Sequence, residues 1–338
     1  MALLTKSELY LALDFGGTKH TAAVLGEGES DWRVRRRVFS PVGADAHYDL
    51  DTMHALAKEI LAGDTPAAIG VSFGGPVDAR TGVVHLSHHV PGWENIPLRQ
   101  ILETEFEAPT SVDNDANAAA LGEHRFGAGR GYSSLLYITI STGVGGGWIL
   151  NEQVWRGAEG MAGEIGHTAV DPGGPLCLCG KQGCLERLAS GPYIAQRARE
   201  WLTTYPERGH ILRALPAPDH TGRLIGDAPE LLTAELVSQA AAQGDELAWE
   251  ALAVAAWALG IAIGNAANLV NPERFVLGGG VTKAGDRFWE MIRSVARKTA
   301  LPEVHFEVVP AALGDDAPLW GAVGLAQDNL AQDMRKEP

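Results

Sequence analysis

Positive charge is what this chain has least of relative to its size. It carries 27 Lys and Arg against 42 Asp and Glu, a formal charge of −15 over 338 residues. Nucleic-acid phosphates are bound by basic faces, so nucleic acid is not expected as a partner. Anionic small molecules stay open to it, because backbone N–H groups and a metal ion bind them locally. Long apolar runs are missing too. The most apolar stretch, residues 251–264, is shorter than the roughly 20 residues that span a bilayer and reads as a buried helix. No membrane partner is expected. The N-terminal Met1-Ala-Leu-Leu-Thr-Lys-Ser-Glu lacks the apolar core of a signal peptide. Cysteine is scarce, three in all, which together with that N-terminus points to the cytoplasm. There is no low-complexity tail and no heptad repeat. What remains is an ordinary globular composition, 46% hydrophobic and 20% charged, with length enough for a large core in two domains or lobes.

The cysteines are few but not scattered. All three fall in Cys177-Leu-Cys179-Gly-Lys-Gln-Gly-Cys184, and His167 stands ten residues upstream in Gly163-Glu-Ile-Gly-His. Three thiols and an imidazole complete a tetrahedral set for zinc, and the glycines between them allow the tight turns that aim them at one point. Glu164 and Glu186 alternate with these ligands. A metal knot that also fixes two carboxylates reads as the wall of a binding site.

Apolar runs and glycines organise the rest. Residues 9–15, 20–25 and 32–39 read as strands, the last a Val- and Arg-rich outer strand, with Gly16-Gly17-Thr18-Lys19 between the first two. The plan recurs: 135–140 is a strand, Ser141-Thr-Gly-Val-Gly-Gly-Gly147 a turn, and 148–150 resumes an extended run. In both units the glycines join strand to strand, unlike a Walker A loop or a dinucleotide fingerprint, which lead into a helix. An internally duplicated α/β fold with a cleft between its halves is the expectation. A third cluster, Gly278-Gly279-Gly280, closes the strand that follows Asn271-Pro272. Residues 205–229 read as a surface excursion, and 233–264 as Ala-rich helix broken near Gly244-Asp245.

Each cluster carries chemistry. Asp14-Phe-Gly-Gly-Thr-Lys puts a carboxylate at a strand end beside glycines that phosphate oxygens can approach, and such an Asp can hold Mg²⁺ through water. One such motif is most simply a hairpin turn; three glycine clusters, each closing a strand, favour a nucleotide. Thr142-Gly143 is the second phosphate contact, and the third cluster lets an adenosine lie on backbone. In Val112-Asp-Asn-Asp115-Ala-Asn117, an N-cap accounts for one polar residue and leaves the others. A carboxylate there can take a proton from an attacking hydroxyl while the neighbouring amide holds the substrate. Gly74-Gly75-Pro76 and Pro91-Gly92-Trp93 read as loops, and the adjacent His88 and His89 as surface residues.

These motifs occur in order: Asp14-Phe-Gly-Gly-Thr-Lys, Gly-Gly-Pro-Val-Asp78, Asn114-Asp-Ala-Asn-Ala-Ala, Thr142-Gly-Val-Gly-Gly-Gly, Gly163-Glu-Ile-Gly-His and Cys-x-Cys-Gly-x-x-Gly-Cys-x-Glu186. Together they resemble the ROK family, and within it the bacterial glucokinase-like sugar kinases, from residue 9 to about 325. The resemblance implies an actin-like, ribonuclease-H-type fold with ATP and sugar in an interdomain cleft that closes on binding. Its lobes would be 1–112 with 318–338, and 113–317 carrying the zinc-binding loop. It further implies transfer of the γ-phosphoryl of ATP to a sugar hydroxyl, most simply glucose to glucose 6-phosphate. Asp115 would be the general base. Gly75, His89, Asn114, Glu164, His167 and Glu186 would surround the sugar. Asp14, Gly16, Gly17, Thr18, Lys19, Thr142, Gly143 and Gly279 would line the ATP–Mg²⁺ site, and structural Zn²⁺ would sit on His167, Cys177, Cys179 and Cys184. A homo-oligomer, dimer or tetramer, is implied as well.

Two positions depart from the family pattern. His89 stands where many family glucokinases carry Asn, and Ser141 where members usually carry Gly. Imidazole is larger than a carboxamide and titrates near neutral pH, so another sugar (N-acetylmannosamine, N-acetylglucosamine or fructose) is the alternative substrate. The family also contains sugar-responsive repressors, which carry a DNA-binding domain ahead of the Asp-x-Gly-Gly-Thr motif. Only 13 residues precede Asp14 and the charge is wrong for DNA, so that reading ranks last.

Overall fold

The computed structural model describes residues 9–87, 89–219 and 221–334. The N-terminal segment and His88, both considered above, lie outside the described residues. Packing divides the chain into two compact units: 1–137 with 147–163 and 311–338, and 138–146 with 164–310. The first break therefore falls further along the chain than the lobe boundary expected at 112/113.

The first unit opens with strands β1 (Leu9–Phe15), β2 (Lys19–Gly26) and β3 (Val34–Phe39). Helix α1 (Ala46–Leu61), strand β4 (Ala68–Phe73) and a small hairpin of β5 (Val77–Asp78) and β6 (Val83–Val84) follow. Then come α2 (Leu98–Phe106), β7 (Thr110–Asn114) and α3 (Asp115–Phe126). Strands β8 (Leu135–Ile140) and β9 (Val144–Leu150) straddle the division, and β10 (Gln153–Trp155) lies in the first unit. The second unit contributes α4 (Leu185–Ala189), α5 (Gly191–Thr204), α6 (His210–Ala214), α7 (Ala234–Ala242) and α8 (Glu246–Val270). It ends with β11 (Arg274–Gly278), α9 (Asp286–Thr299) and β12 (Glu307–Pro310), and α10 (Ala317–Met334) closes the chain back in the first unit.

The first sheet runs β3-β2-β1-β4-β7, with β1 antiparallel to β2 and parallel to β4. Both of its faces are covered, which is why β1 reads as a continuous apolar run. Alternation sends Leu11, Leu13 and Phe15 into one core with Met53 and Ile60 of α1 and Leu98 and Leu102 of α2. It sends Tyr10 and Ala12 to the opposite core with Leu319, Ala322 and Val323 of α10. Helix α10 lies backbone-on-backbone against its neighbours. A Cβ at Gly70 of β4 would stand 1.6 Å from the Ala322 carbonyl oxygen, and one at Gly321 would stand 1.7 Å from that of Ala118 in α3. Edge strand β3 carries its arginines outward, where Arg36 pairs with Glu59 (3.0 Å) and Arg35 and Arg37 both pair with Asp316.

The second sheet runs β10-β9-β8-β11-β12. In each sheet the third, second and first strands of its set are followed by the two that come later in the chain, so the duplicated α/β architecture expected from the repeated strand–glycine–strand unit is present. The second turn is shorter than its glycines suggest, since only 141–143 turn and Gly145, Gly146 and Gly147 belong to β9. Glycine serves close approach there, because a Cβ at Gly147 would sit 2.4 Å from the Ala116 carbonyl oxygen. In the second unit the Ala-rich stretch forms α7 and α8, broken at Gly244-Asp245 as expected. Asp245 caps α8 by accepting from Ala248 N–H (3.0 Å), and Asn271 ends it at φ 53°. At 25 residues α8 outruns the 14-residue apolar stretch, and among the described residues it is the helix long and apolar enough to cross a membrane by composition. Two-thirds (67%) of its most apolar 18-residue window is buried in the protein itself.

Candidate active site

In the first unit, parallel pairing brings the ends of β1, β4 and β7 level. Asp14 pairs with Ser72, Ser72 with Asp113, and Phe73 with Asn114. Ser72 Oγ donates to Asp14 Oδ1 (2.8 Å). Burial raises the Asp14 carboxyl above its ordinary range, against the opposing pull of that hydrogen bond and of Lys19 and Arg37. The turn beyond Asp14 closes when Gly16 N–H donates to the Lys19 carbonyl (3.1 Å), leaving Gly17 and Thr18 exposed. Lys19 Nζ lies 3.9 Å from Asp315.

His89, expected beside the sugar, rests on this glycine turn. A Cβ on Gly17 would stand 3.1 Å from His89 Cβ and 3.5 Å from its ring. The following Pro91-Gly92-Trp93 turn, legible only as a loop, is anchored from below. Trp93 Nε1 donates to Asp49 Oδ2 (3.1 Å), and Asp49 Oδ1 lies 2.7 Å from His20 Nε2, all three side chains being buried. An acid on the apolar face of α1 was the available signal.

At the junction of β7 and α3 the polar cluster divides its labour. Asn114 is the N-cap: its Oδ1 accepts from Ala116 N–H (2.9 Å) and Asn117 N–H (3.4 Å), while its Nδ2 donates to the Gly75 carbonyl (3.1 Å). Asp113 is buried and takes Arg156 Nε (2.8 Å) and Nη2 (2.6 Å) on Oδ2. That arginine carries no motif around it and was not singled out by sequence. Asp115 accepts from Ala116 N–H (2.8 Å), and among the described residues no cation pairs with it. Loss of water around its carboxyl, together with the Asp14 charge, pushes Asp115 up to about 6. Asp14, Gly16, Gly17, Thr18, Lys19, Gly75, His89, Asn114 and Asp115 thus form one group in one unit.

The other candidates gather in the second unit. Thr142 is exposed on the shortened turn, and a Cβ at Gly279 would meet the Ile140 carbonyl oxygen at 2.3 Å, so the third glycine cluster abuts the end of β8. Glu186 Oε2 accepts from Val144 N–H (3.0 Å) and lies against Gly143, which puts this carboxylate on the glycine turn. Glu164 is exposed at the start of a short 3₁₀ turn that carries His167.

The four candidate metal ligands lie together. Donor atoms of His167, Cys177, Cys179 and Cys184 all lie within 4.8 Å of one another. Cys179 and Cys184 sulfurs are 3.5 Å apart, close to the roughly 3.8 Å that Zn–S bonds of about 2.3 Å impose on a tetrahedron. His167 Nδ1 is buried without a protein partner, as suits a ligand lone pair. Burial and the two neighbouring thiols push Cys184 up to about 12, a penalty a dication among the sulfurs reverses, while the Lys181 backbone N–H holds Cys179 below its ordinary value. The donor set fits zinc, and with three thiolates and one imidazole it leaves no open position for a reacting ligand.

The ROK family model matches residues 10–329. A glucokinase of Halalkalibacterium halodurans is 39% identical over 326 residues, covering 92% of this chain and 93% of the relative. An N-acetylmannosamine kinase of Escherichia coli is 32% identical over 325 residues, covering 94% and 98%. Among solved structures, the ROK family glucokinase of Streptomyces griseus in complex with glucose and AMPPNP superposes with a TM-score of 0.78 at 33% identity, covering 95% of this chain and 99% of that one. Motifs, duplicated sheets and matches over nearly the full length agree: the chain belongs to the ROK family.

Proposed function

We propose that the chain is an ATP-dependent sugar kinase that moves the γ-phosphoryl group of ATP to a sugar hydroxyl, with glucose and its 6-hydroxyl as the preferred acceptor. Asp115 carries this reading. It is a carboxylate at a strand–helix junction, without a pairing cation among the described residues and raised to about 6, where it is ionised at neutral pH yet basic enough to take a hydroxyl proton. Asn114 and Gly75, in the same unit as Asp115, would offer polar groups to the other sugar hydroxyls. In that unit the turn at Gly16–Thr18 would offer backbone N–H groups to phosphate oxygens. Mg²⁺ beside Asp14 would neutralise charge on the transferring phosphates. Zinc on the Cys₃His set would hold the loop and take no part in the reaction.

Glucose is favoured because the 39%-identical relative and the 33%-identical solved structure are glucokinases. N-acetylmannosamine is the second reading, supported by the 32%-identical kinase for that sugar and by His89 in place of Asn. Steady-state turnover on glucose, N-acetylmannosamine, N-acetylglucosamine and fructose, with ATP and with polyphosphate as donors, decides acceptor and donor. Asp115→Asn is expected to keep sugar binding and lose about a hundred- to ten-thousandfold in kcat, the usual span of a general base. Near-normal turnover in that variant removes Asp115 from the reaction.

A further inference from the structure

The pair formed by Arg156 and Asp113 has no part in this scheme, yet it is built around the residue that does. We infer that Arg156 is a positioning residue for Asp115: through Asp113 it fixes the strand–helix junction on which the base is mounted. The inference rests on the reading of Asp115 as base.

Asp113 is 1% exposed, and both of its oxygens are committed. Oδ2 receives Arg156 Nε and Nη2 at 2.8 and 2.6 Å. Oδ1 receives the backbone N–H of Asn114 at 2.8 Å and Asn117 Nδ2 at 3.0 Å. One carboxylate therefore grips the residue before Asp115 and the residue two places after it. With four donors on two oxygens, it has one orientation. Rotating it would release the last turn of β7 and the first turn of α3 together.

Arg156 supplies the direction. Its carbonyl accepts from Ala162 N–H (3.0 Å), which fixes its backbone, and its Nη1 reaches the Val154 carbonyl of β10 (3.4 Å), so the guanidinium is held by β10 on one side and by Asp113 on the other. A planar fork with fixed donors transmits orientation, whereas an ammonium would supply charge alone. Neutralising a buried carboxylate needs only a cation; holding a junction in place needs this one. Asn114, as the N-cap and the donor to Gly75, moves with the same junction. The turn at Gly16–Thr18 hangs on β1 and does not.

The test compares Arg156→Met with the double variant Asp113→Asn/Arg156→Met, measuring kcat, KM for ATP, KM for the sugar and the thermal unfolding temperature. Removing one partner of a buried pair destabilises strongly, whereas replacing both with uncharged groups comes close to neutral. The unfolding temperature should therefore fall in the single variant and recover in the double. If Arg156 positions the base, kcat falls about a hundredfold in both, as misplacement of a reacting group by about 1 Å does, while KM for ATP stays within about twofold. Recovery of kcat along with stability in the double variant would show that Arg156 only neutralises Asp113, and wild-type kcat in Arg156→Met would overturn the inference outright. Should the single variant not fold, the double variant decides alone. Asp115→Asn is measured in parallel. Normal turnover there would remove the base reading and this inference with it, whereas its expected loss beside an unaffected double variant would remove this inference only.

Discussion

A carboxylic acid in water ionises near pH 4 and is a poor acceptor for a hydroxyl proton. Asp115 is lifted to about 6, first by exclusion of water and then by the Asp14 charge, against the pull of Ala116 N–H and the Asn114 amide. The sign matters in two directions. Between about 4 and 6 the folded protein holds a proton that the unfolded chain releases, so this group's contribution to stability falls as pH rises through that window. Activity should run the other way, because the proposed base is ionised above about 6 and protonated below it. The expected kcat/KM profile for the sugar is therefore level above about pH 7 and falls tenfold per unit below an apparent pKa near 6. Asp14→Asn removes the neighbouring charge and should move that limb toward acid, whatever it does to the rate. A limb near pH 4 in the unsubstituted enzyme would mean that Asp115 is hydrated like an ordinary aspartate. The residue types of this junction could be read from sequence, since capping accounts for one polar side chain and Asn114 is that one. Arg156 could not. It lies 43 positions from Asp113, and nothing in a lone arginine says which carboxylate it will meet.

Among the elements, the loop from 171 to 184 is held by the least regular structure. Its internal pairing is an isolated bridge between Leu176 and Gln182, with a second joining Ala169 to Cys184, and Leu176 and Leu178 stand 65% and 91% exposed. A segment that buries so little apolar surface needs another source of order, and a metal on the four convergent side chains would supply it. Helix α4 starts directly after Cys184 and carries Glu186, whose carboxylate holds Val144 N–H where the glycine turn enters β9. Stripping the metal with a strong chelator, or Cys184→Ser, should therefore lower the unfolding temperature and raise KM for ATP as well as for the sugar. Metal analysis should find one zinc per chain. A demonstrably zinc-free protein with unchanged KM values would separate the loop from the site. The clustering of His167 with the three cysteines was legible because three cysteines in eight residues leave few other meanings. The strands were legible as continuous apolar runs. The extent of the second glycine turn was not, because a glycine that bends the chain and a glycine that lets two backbones touch look alike in sequence.

That ambiguity decides how the first unit is closed. The two sheets repeat one strand order, and each strand end that carries a candidate residue is placed by its sheet, so the duplication was visible in the repeated strand–glycine–strand pattern. The closure by α10 was not. A glycine in a helix gives no sign of whether it faces water or another main chain, yet Gly321 faces the Ala118 carbonyl, where a Cβ would stand at 1.7 Å, and Gly70 faces Ala322 from the other side. Small side chains on α3 and α10 exist to let these backbones meet. Filling such a contact differs from crowding an ordinary core, where rotamers shift and the penalty is about 1–3 kcal/mol. Here the obstructing atom is a carbonyl oxygen of a helix whose first residue is Asp115, and relief requires the helix itself to move. Gly321→Val should therefore lower the unfolding temperature far more than Ala331→Val at an exposed position of the same helix. Whatever fraction folds should show reduced kcat, because the displaced element carries the proposed base. Equal unfolding temperatures for the two variants would mean that α10 is free to slide over α3, and that the close backbone approach does not hold the unit together.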